Sequence, residues 1–522
     1  MGWQRAKLNE DIFIEGMRFF DFAQRYVMKD MPWYQKMFIE WFANWRVKGI
    51  FQRYDPMIAE EINGIIDGLA GKVASEKIVR ASAFFDLAMN YACTSFAVKG
   101  SATRNGRLLI GRNFDFGGAG SFDVPFITVY QPDEGYRFAS FGVPVWNLSG
   151  VTSFNEKGLV VISHLAVVKD ANLRAKPIGE LIRKIVQGCA TIDEALKLIE
   201  KTPRMCGLNL LLAEGPAQEA VVVELSAKDF AVRPMENDAV WATNHFVSKK
   251  IREQTSPNNY LFNFQMRFAR MQQLITENRG RIDLETIVDF LRDRFAPNQN
   301  REVVNSHNIC ATYRTDYPFS PNNDLSIVFE PGSLDFWLSN SSEPAAMGEF
   351  IGFNLLDLFE NQPSNTEPVS IAASTVPESD LFKRELSNYR TLVRAKESYK
   401  RKQYVNAIID LGKVIEIDPV HIEAHYFLAY TYFRSEKWDL AKQYAHRVIE
   451  IEEQLEISPQ FRGSTALAYL LLGRIAKKQG QKKQAEGFFQ KTAALAEEFP
   501  HANNEYAAKL AEQYRYRFWE VF

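Results

Sequence analysis

From residue 93 to about residue 340 the apolar residues leave helical spacing and gather into short blocks. CTSFAVKG, RLLIGRNFDF, FITVYQ, GLVVISHLAVV, LNLLLAE, AVVVELSA, AVWATNHF, ICATYRT and LSIVFE are apolar throughout or alternate residue by residue. Blocks of that length fit strands, and turn signals such as Arg104-Asn105-Gly106 separate them. Helical patterns interrupt the series near 177–202 and again near 262–295. Strands in bunches with inserted helix pairs predict a layered α+β domain, since a regular βαβ series would alternate one by one.

The pattern changes again after residues 361–380, which are rich in Pro, Ser, Thr and Asn and read as a linker. Beyond it, Ala407 precedes Val414 and Ile417 as Ala441 precedes Val448 and Ile451, an offset of 34 residues. Ala395 and Ala429 each stand twelve residues before those alanines, and Gly473 and Ala485 keep the same spacing. Small residues let the two helices of a hairpin cross closely, and Asp418-Pro419 marks a stop between hairpins. Ahead of the strands, residues 1–92 read as helical, with Phe19, Phe20, Phe22, Trp33, Trp41, Phe42 and Trp45 between charges and a helix start at Tyr54-Asp55-Pro56. These aromatics are expected to be buried against the next domain rather than to touch a membrane.

Composition narrows the function. Hydrophobic residues make up 46% and charged residues 24%, so large cores are available without staples. A formal net charge of -2 gives no global electrostatic case for nucleic acid or an anionic membrane. Glu15, Arg18, Asp21 and Arg25 interrupt the early apolar runs, so neither a signal peptide nor a membrane span is expected and a cytoplasmic address is the default, with export left open. The four cysteines, Cys93, Cys189, Cys206 and Cys310, form no C-x-x-C pair and read as thiols.

The chemistry concentrates in Ala92-Cys93-Thr94-Ser95-Phe96 and Gly111-Arg112-Asn113-Phe114-Asp115-Phe116. A cysteine opening a strand after a small residue can attack the carbonyl just before it. An N→S acyl shift and hydrolysis would release residues 1–92 and leave a thiol and an α-amine on one residue. The amine titrates at about 7.7–8.0 and the thiol at about 8.5, so the first can accept the proton of the second. Arg112 near the thiol would favour thiolate, and a carboxylate at Asp115 would orient the amine.

These residues resemble the cysteine N-terminal-nucleophile (Ntn) amidases: penicillin V acylase, choloylglycine hydrolase and, above all, the isopenicillin N acyltransferase group. Those families place Cys at the mature start and then a strand G-[RQ]-N-x-[DE]-[WF], matched by GRNFDF. The resemblance implies a four-layer αββα sandwich over 93–358, a helical pro-segment over 1–92 that becomes the small chain, a linker over 359–380 and an all-α domain over 381–522. The 34-residue period of that last part resembles the tetratricopeptide repeat. By motif, Cys93 would be the nucleophile, supported by Arg112 and Asp115. Asn244 in Ala242-Thr243-Asn244-His245-Phe246 would supply an oxyanion-hole donor. In Arg267-Phe268-Ala269-Arg270, similar to an R-F-x-R segment of the bile salt hydrolases, Arg267 would be the second active-site arginine, with Arg270 the competing choice. The junction Ala92-Cys93 departs from the Gly-Cys of the penicillin acyltransferase. Neither cofactor nor metal is implied. The substrate would be a small acyl amide, with acyl-CoA as an acyl donor, and the repeats would take a protein partner.

Blander readings stand beside these. Cys93 as a buried strand cysteine, Arg112 and Asp115 as a structural ion pair, and Asn244 as a turn cap each fit the local sequence. His245 and His307 read as structural, Cys189 and Cys206 as core or surface thiols, and Cys310 as a packed strand residue. Gly117-Gly118-Ala119-Gly120 lacks the Lys-Ser/Thr of a phosphate loop, Gly71-Lys72 lacks its spaced glycine, and neither G-x-S-x-G nor H-E-x-x-H occurs. Three functions follow: a self-cleaving hydrolase or acyltransferase acting on linear amide C–N bonds through a Cys93 thioester, a catalytically silent scaffold serving protein interaction through the repeats, or a peptidase acting only on itself.

Overall fold

The strand blocks pair into two antiparallel sheets of seven strands each. In the computed structural model, residues 31–51, 55–79, 91–116, 126–142, 151–166, 168–172, 174–255, 261–304, 308–311, 322–340, 344–360 and 369–516 are described, with scattered positions between Gln4 and Met28. The chain divides into a first unit of Met1–Asn258, Arg267–Asp293 and Ile309–Ser374, and a second of Asn259–Met266, Arg294–Asn308 and Thr375–Phe522.

The first unit opens with helices α1 (Trp33–Phe51) and α2 (Pro56–Gly68). Its strands begin with β1 (Tyr91–Gly100), β2 (Gly106–Phe116), β3 (Phe126–Tyr130), β4 (Phe138–Gly142), β5 (Thr152–Asn155) and β6 (Leu159–Leu165). Helices α3 (Ile178–Gly188) and α4 (Ile192–Lys201) precede β7 (Leu208–Glu214), β8 (Glu219–Leu225), β9 (Phe230–Pro234) and β10 (Ala239–Ala242). Helices α5 (Leu261–Glu277) and α6 (Leu284–Leu291) follow, and a small hairpin, β11 (Phe295–Ala296) with β12 (Arg301–Glu302), lies in the second unit. The strands finish with β13 (Asn322–Glu330), β14 (Asp335–Ser339), β15 (Phe350–Asn354) and β16 (Ser370–Ile371). One sheet runs β10-β1-β2-β13-β14-β15-β16 and the other β3-β4-β5-β6-β7-β8-β9.

Alternation along each strand decides the layers, because successive side chains point to opposite faces. In β6, Val160 and Ile162 join Ala97, Ile110, Phe114, Ile327, Leu211 and Val222 in a core between the sheets. Their neighbours Leu159 and Val161 face the other way and pack with Ile182, Ile185 and Val186 of α3 and Ile192 and Ile199 of α4. On the first sheet, Phe96, Val98, Leu109 and Val328 pack with Met271 and Leu274 of α5 and Ile287 and Leu291 of α6. The order is therefore helices, sheet, sheet, helices. Both faces of the central strands are covered, which is why their sequences read as nearly continuous apolar runs.

Helix α2 begins where the sequence places it. Asp55 Oδ1 accepts from Met57 N at 3.2 Å, with Pro56 in the first turn. Ile58, Ile62, Ile65 and the following Leu69 share one stripe and enter the inter-sheet core, each burial stabilising by roughly 1.5–3 kcal/mol. Beside that stripe, Glu61 forms a buried ion pair with Arg183 of α3 at 3.2 Å. The guanidinium lies over the rings of Tyr130 at 4.4 Å and Phe138 at 4.9 Å. Asp55 adds a more exposed pair with Lys184 at 2.8 Å.

Several expectations change. β4, β5 and β9 are strands that the sequence did not announce, because their central residues lack a clear turn-bounded run. Ile309 and Cys310 sit in a bend and not in a strand: Cys310 is buried with its N–H on the Asp293 carbonyl at 2.9 Å. β1 starts at Tyr91, two residues ahead of the cysteine. Trp33, Trp41 and Trp45 are exposed and not buried, since an apolar face read from the sequence says nothing of what covers it. Phe19, Phe20, Phe22, Gly117–Gly120 and His307 lie outside the described residues.

Between residues 380 and 516 the second unit is helical: α7 (Asp380–Lys400), α8 (Tyr404–Ile417), α9 (Ile422–Arg434), α10 (Trp438–Gln454), α11 (Gly463–Lys478), α12 (Lys482–Glu498) and α13 (Ala502–Tyr516). The small residues stand where helices cross. Ala395, Ala407, Ala429 and Ala441 are fully buried, and a Cβ on Gly473 would meet the Phe489 ring at 2.4 Å. Among the described residues no helix is long and apolar enough to cross a membrane.

The Glu61–Arg183 pair generates a stability prediction. Arg183→Met removes a buried cation from beside the Glu61 carboxylate and should destabilise the first unit by about 3–5 kcal/mol. Guanidinium unfolding followed by tryptophan fluorescence checks this; an unchanged midpoint would show that the pair contributes nothing.

Candidate active site

β1 lies between β10 and β2, so both flanks of the Cys93 backbone are committed to pairing. The register sets Cys93 opposite Phe114, Ser95 opposite Arg112 and Ala92 opposite Asp115. Directly opposed residues share a face. Arg112 therefore lies on the inter-sheet side with Cys93, and Asp115 on the helix side with Thr94. The two charged residues form no ion pair among the described residues, which removes the structural-pair reading.

Three of the five expected site residues are joined directly. The N–H of the Ala92–Cys93 peptide donates to Asn244 Oδ1 at 2.6 Å. Arg267 Nη1 donates to the Cys93 carbonyl at 2.5 Å and to Thr94 Oγ1 at 2.7 Å, and its Nη2 donates to Asn244 Oδ1 at 2.9 Å. Two donors on one oxygen fix the amide orientation, so Asn244 Nδ2 points away to the Leu165 carbonyl at 3.0 Å. Arg270 is elsewhere. It makes a two-pronged contact with Asp293, with Nη2 to Oδ2 at 2.7 Å.

Each position has a local cause. Asn209 Nδ2 donates to the carbonyls of Thr243 at 2.9 Å and His245 at 2.8 Å, gripping the chain on both sides of Asn244. Phe268 packs against Trp241 at 5.2 Å and edge-on to His245 at 5.3 Å, and its carbonyl accepts from Trp241 Nε1. This seats the turn of α5 that carries Arg267. A register shift between Asn323 and Leu325 brings Asn323 opposite Asp115, as a bulge re-aims a side chain. Asn323 Nδ2 then donates to Asp115 Oδ1 at 3.1 Å, while its Oδ1 accepts from Ala346 N.

Charge is concentrated and dry. Arg112, fully buried, donates through Nη2 to the Ser163 carbonyl at 3.1 Å. Its Nε and Nη1, and Asp115 Oδ2, have no hydrogen-bond partner among the described residues. Burial pushes the Cys93 thiol up; Arg112 pulls it down, Asp115 pushes it up and Arg267 pulls it down. Burial raises Asp115 to about 7 against the pull of Arg267, Asn323 and Arg112. Burial also lowers Arg267, and drives His245 down to about 3 with help from Arg233 and Arg267. His164, well below its ordinary range through burial and then Arg112, shares a hydrogen bond with Ser95 Oγ at 2.8 Å. Both histidines are thus neutral at physiological pH.

Sequence reasoning missed Thr94, His164, Asn209 and Asn323. Only the polarity of Thr94, His164 and Asn209 within apolar strands could have flagged them, since a buried polar side chain needs a partner. Cys189, Cys206 and Cys310 are buried; Cys189 and Cys206 pack in the layer of α3 and α4, and Cys310 in the layer of α5 and α6. Among the described residues no His, Cys, Asp and Glu cluster could hold a metal.

Known proteins resemble parts of this chain. Residues 101–313 match the family model of acyl-coenzyme A:6-aminopenicillanic acid acyl-transferase, a span that begins after Cys93 and contains Arg112, Asp115, Asn244 and Arg267. A protein of Archaeoglobus fulgidus, described as an uncharacterized protein, is 26% identical over 228 residues, which are 38% of this chain and 37% of that protein. The chain thus spans a little over a third of that relative's length. A mutant conjugated bile acid hydrolase from Clostridium perfringens is 12% identical with a TM-score of 0.32, covering 56% of this chain and 94% of its own. A second variant of that hydrolase gives 11% and 0.33 at the same coverage. The N-terminal domain of stress-induced protein-1 (STI-1) from C. elegans is 21% identical with a TM-score of 0.20, covering 24% of this chain and 94% of its own.

The raised Asp115 value has a measurable sign. A carboxyl that binds its proton more tightly in the native state adds stability that is full below the ordinary carboxylate range and lost as pH rises through about 7. In a Cys93→Ala background, the denaturant midpoint should fall between about pH 4 and about pH 7, and Asp115→Asn should flatten that fall. Parallel profiles for the two proteins would contradict the assignment.

Proposed function

We propose that the first unit is an Ntn-type cysteine amidohydrolase or N-acyltransferase that activates itself by cutting between Ala92 and Cys93. The observation that carries this reading is the convergence on one peptide: Asn244 holds its N–H, Arg267 holds the next carbonyl, and orphaned polar atoms of Arg112 and Asp115 lie on its two sides. The family match over residues 101–313 supports the acyl-transfer class, and the order helices, sheet, sheet, helices fits the expected sandwich.

In self-cleavage the Cys93 sulfur attacks the Ala92 carbonyl carbon. The C–N bond breaks, the thiol proton ends on the departing nitrogen, and water hydrolyses the resulting thioester. Asp115, with a value near 7, can hold a proton during that exchange. It stands opposite Ala92, so its unpartnered Oδ2 suits the new amine. The freed amine then serves as base for its own thiol. The two orphaned Arg112 donors suit a thiolate, which a cation in a dry site stabilises strongly.

In turnover the same sulfur takes the acyl group of a linear amide. Once the peptide N–H no longer occupies it, Asn244 is the side chain suited to the oxyanion, held in place by Arg267 and Asn209. Water or an amine then accepts the acyl group, with acyl-CoA as an alternative donor. Residues 1–92 become the small chain, retained through α2. The second unit, with its 34-residue spacing and buried small residues, reads as tetratricopeptide repeats that present a surface to a protein partner.

Kinetics on a panel of N-acyl amides tests this. Cys93→Ala should abolish turnover, and Asn244→Ala should lower kcat by about 10²–10³. A Cys93→Ala protein of full activity would end the proposal.

A further inference from the structure

Helix α1 holds its largest side chains in solvent. Trp33 is 72% exposed, Tyr34 55%, Met37 59%, Phe38 60%, Trp41 60% and Trp45 57%. At about 100° per residue these six fall within an arc of roughly 140°, one stripe along the helix. Trp41 stacks on Trp45 with centroids 6.4 Å apart and planes at 10°, and Phe38 leans on Trp41 at 5.9 Å. Contiguous exposed apolar surface of this kind marks an interaction site.

The chemistry of the stripe selects the partner. Among the described residues, every exposed large hydrophobic on α1 is aromatic or Met. Trp and Tyr combine an apolar body with a polar edge, the combination that settles at the headgroup level of a bilayer. Charge points the same way. The helix carries Lys36, Arg46 and Lys48 against the single acid Glu40, a local excess of positive charge in a chain whose formal net charge is -2. A second copy on the same face would bring two positive helices together, whereas an anionic surface neutralises each. No described helix can cross a bilayer, so the contact lies in the plane of the surface.

We propose that α1 docks the protein on an anionic lipid bilayer, with Trp33, Tyr34, Met37 and Trp41 at the boundary between headgroups and acyl chains. This assignment is independent of the Cys93 chemistry and can be tested in a protein that lacks it.

The test is flotation of the full-length Cys93→Ala chain with vesicles of phosphatidylcholine alone, or with about one third phosphatidylglycerol. The chain should float with the anionic vesicles and bind the neutral ones at least about tenfold more weakly, with added salt weakening the anionic interaction. Combining Trp33→Ser, Met37→Ser and Trp41→Ser should cut anionic binding by about tenfold or more. Its circular dichroism and melting should match the parent, because these side chains are exposed. A parent that stays at the bottom with both vesicles, or a triple variant that floats equally well, would overturn the proposal. So would a concentration-dependent dimer that the triple variant abolishes in the absence of flotation, which would assign the stripe to a second copy.

Discussion

The guanidinium of Arg267 is the tie on which the rest of the site depends. It is buried, and one planar group reaches the β1 backbone at Cys93, the Thr94 hydroxyl and the Asn244 amide. Removing a charge from water is costly unless its donors are satisfied. These contacts, with Asp115 raising its affinity for the proton, supply that compensation. The helix, the loop after β10 and the strand are therefore fixed to each other through one side chain. A lysine could not substitute, because a point charge lacks the fork that engages several acceptors at once.

That tie also shapes the electrostatics around the thiol. Arg112 approaches from between the sheets, while Arg267 and Asp115 lie on the helix side. Burial opposes ionisation of Cys93, and the two cations favour it. In the intact chain the neutral thiol is the stable form. Scission would add an amine at Cys93, near a carboxyl that itself titrates near neutrality. The layers thus deliver one cation, Arg112, to the strand from between the sheets, and a second cation and a carboxyl from the helix side.

Much of the candidate site was legible in the sequence because its residues are carried by short motifs inside strands. GRNFDF places Arg112 and Asp115 three residues apart, and strand parity alone sends them to opposite faces. The Arg267 and Arg270 alternatives were not separable by motif. Geometry divides them, since Asp293 engages Arg270. Asn323 was invisible because its partner lies far along the chain and is reached only through a register shift. β4, β5 and β9 escaped for want of turn-bounded apolar runs. The exposure of α1 was misread for a different reason: an aromatic-rich helix has the same sequence whether another domain covers it or not. Periodicity reports which faces are apolar and says nothing of what they meet.

The central claim is that the Ala92–Cys93 bond, threaded inside a sheet, held at its N–H by Asn244 and flanked at the next carbonyl by Arg267, is built to break. N-terminal sequencing of the purified full-length protein, coupled to intact-mass measurement, addresses it most directly. A second chain beginning Cys-Thr-Ser-Phe-Ala is the predicted result. A single unbroken chain after prolonged incubation, with Cys93 inert to thiol reagents, would contradict it.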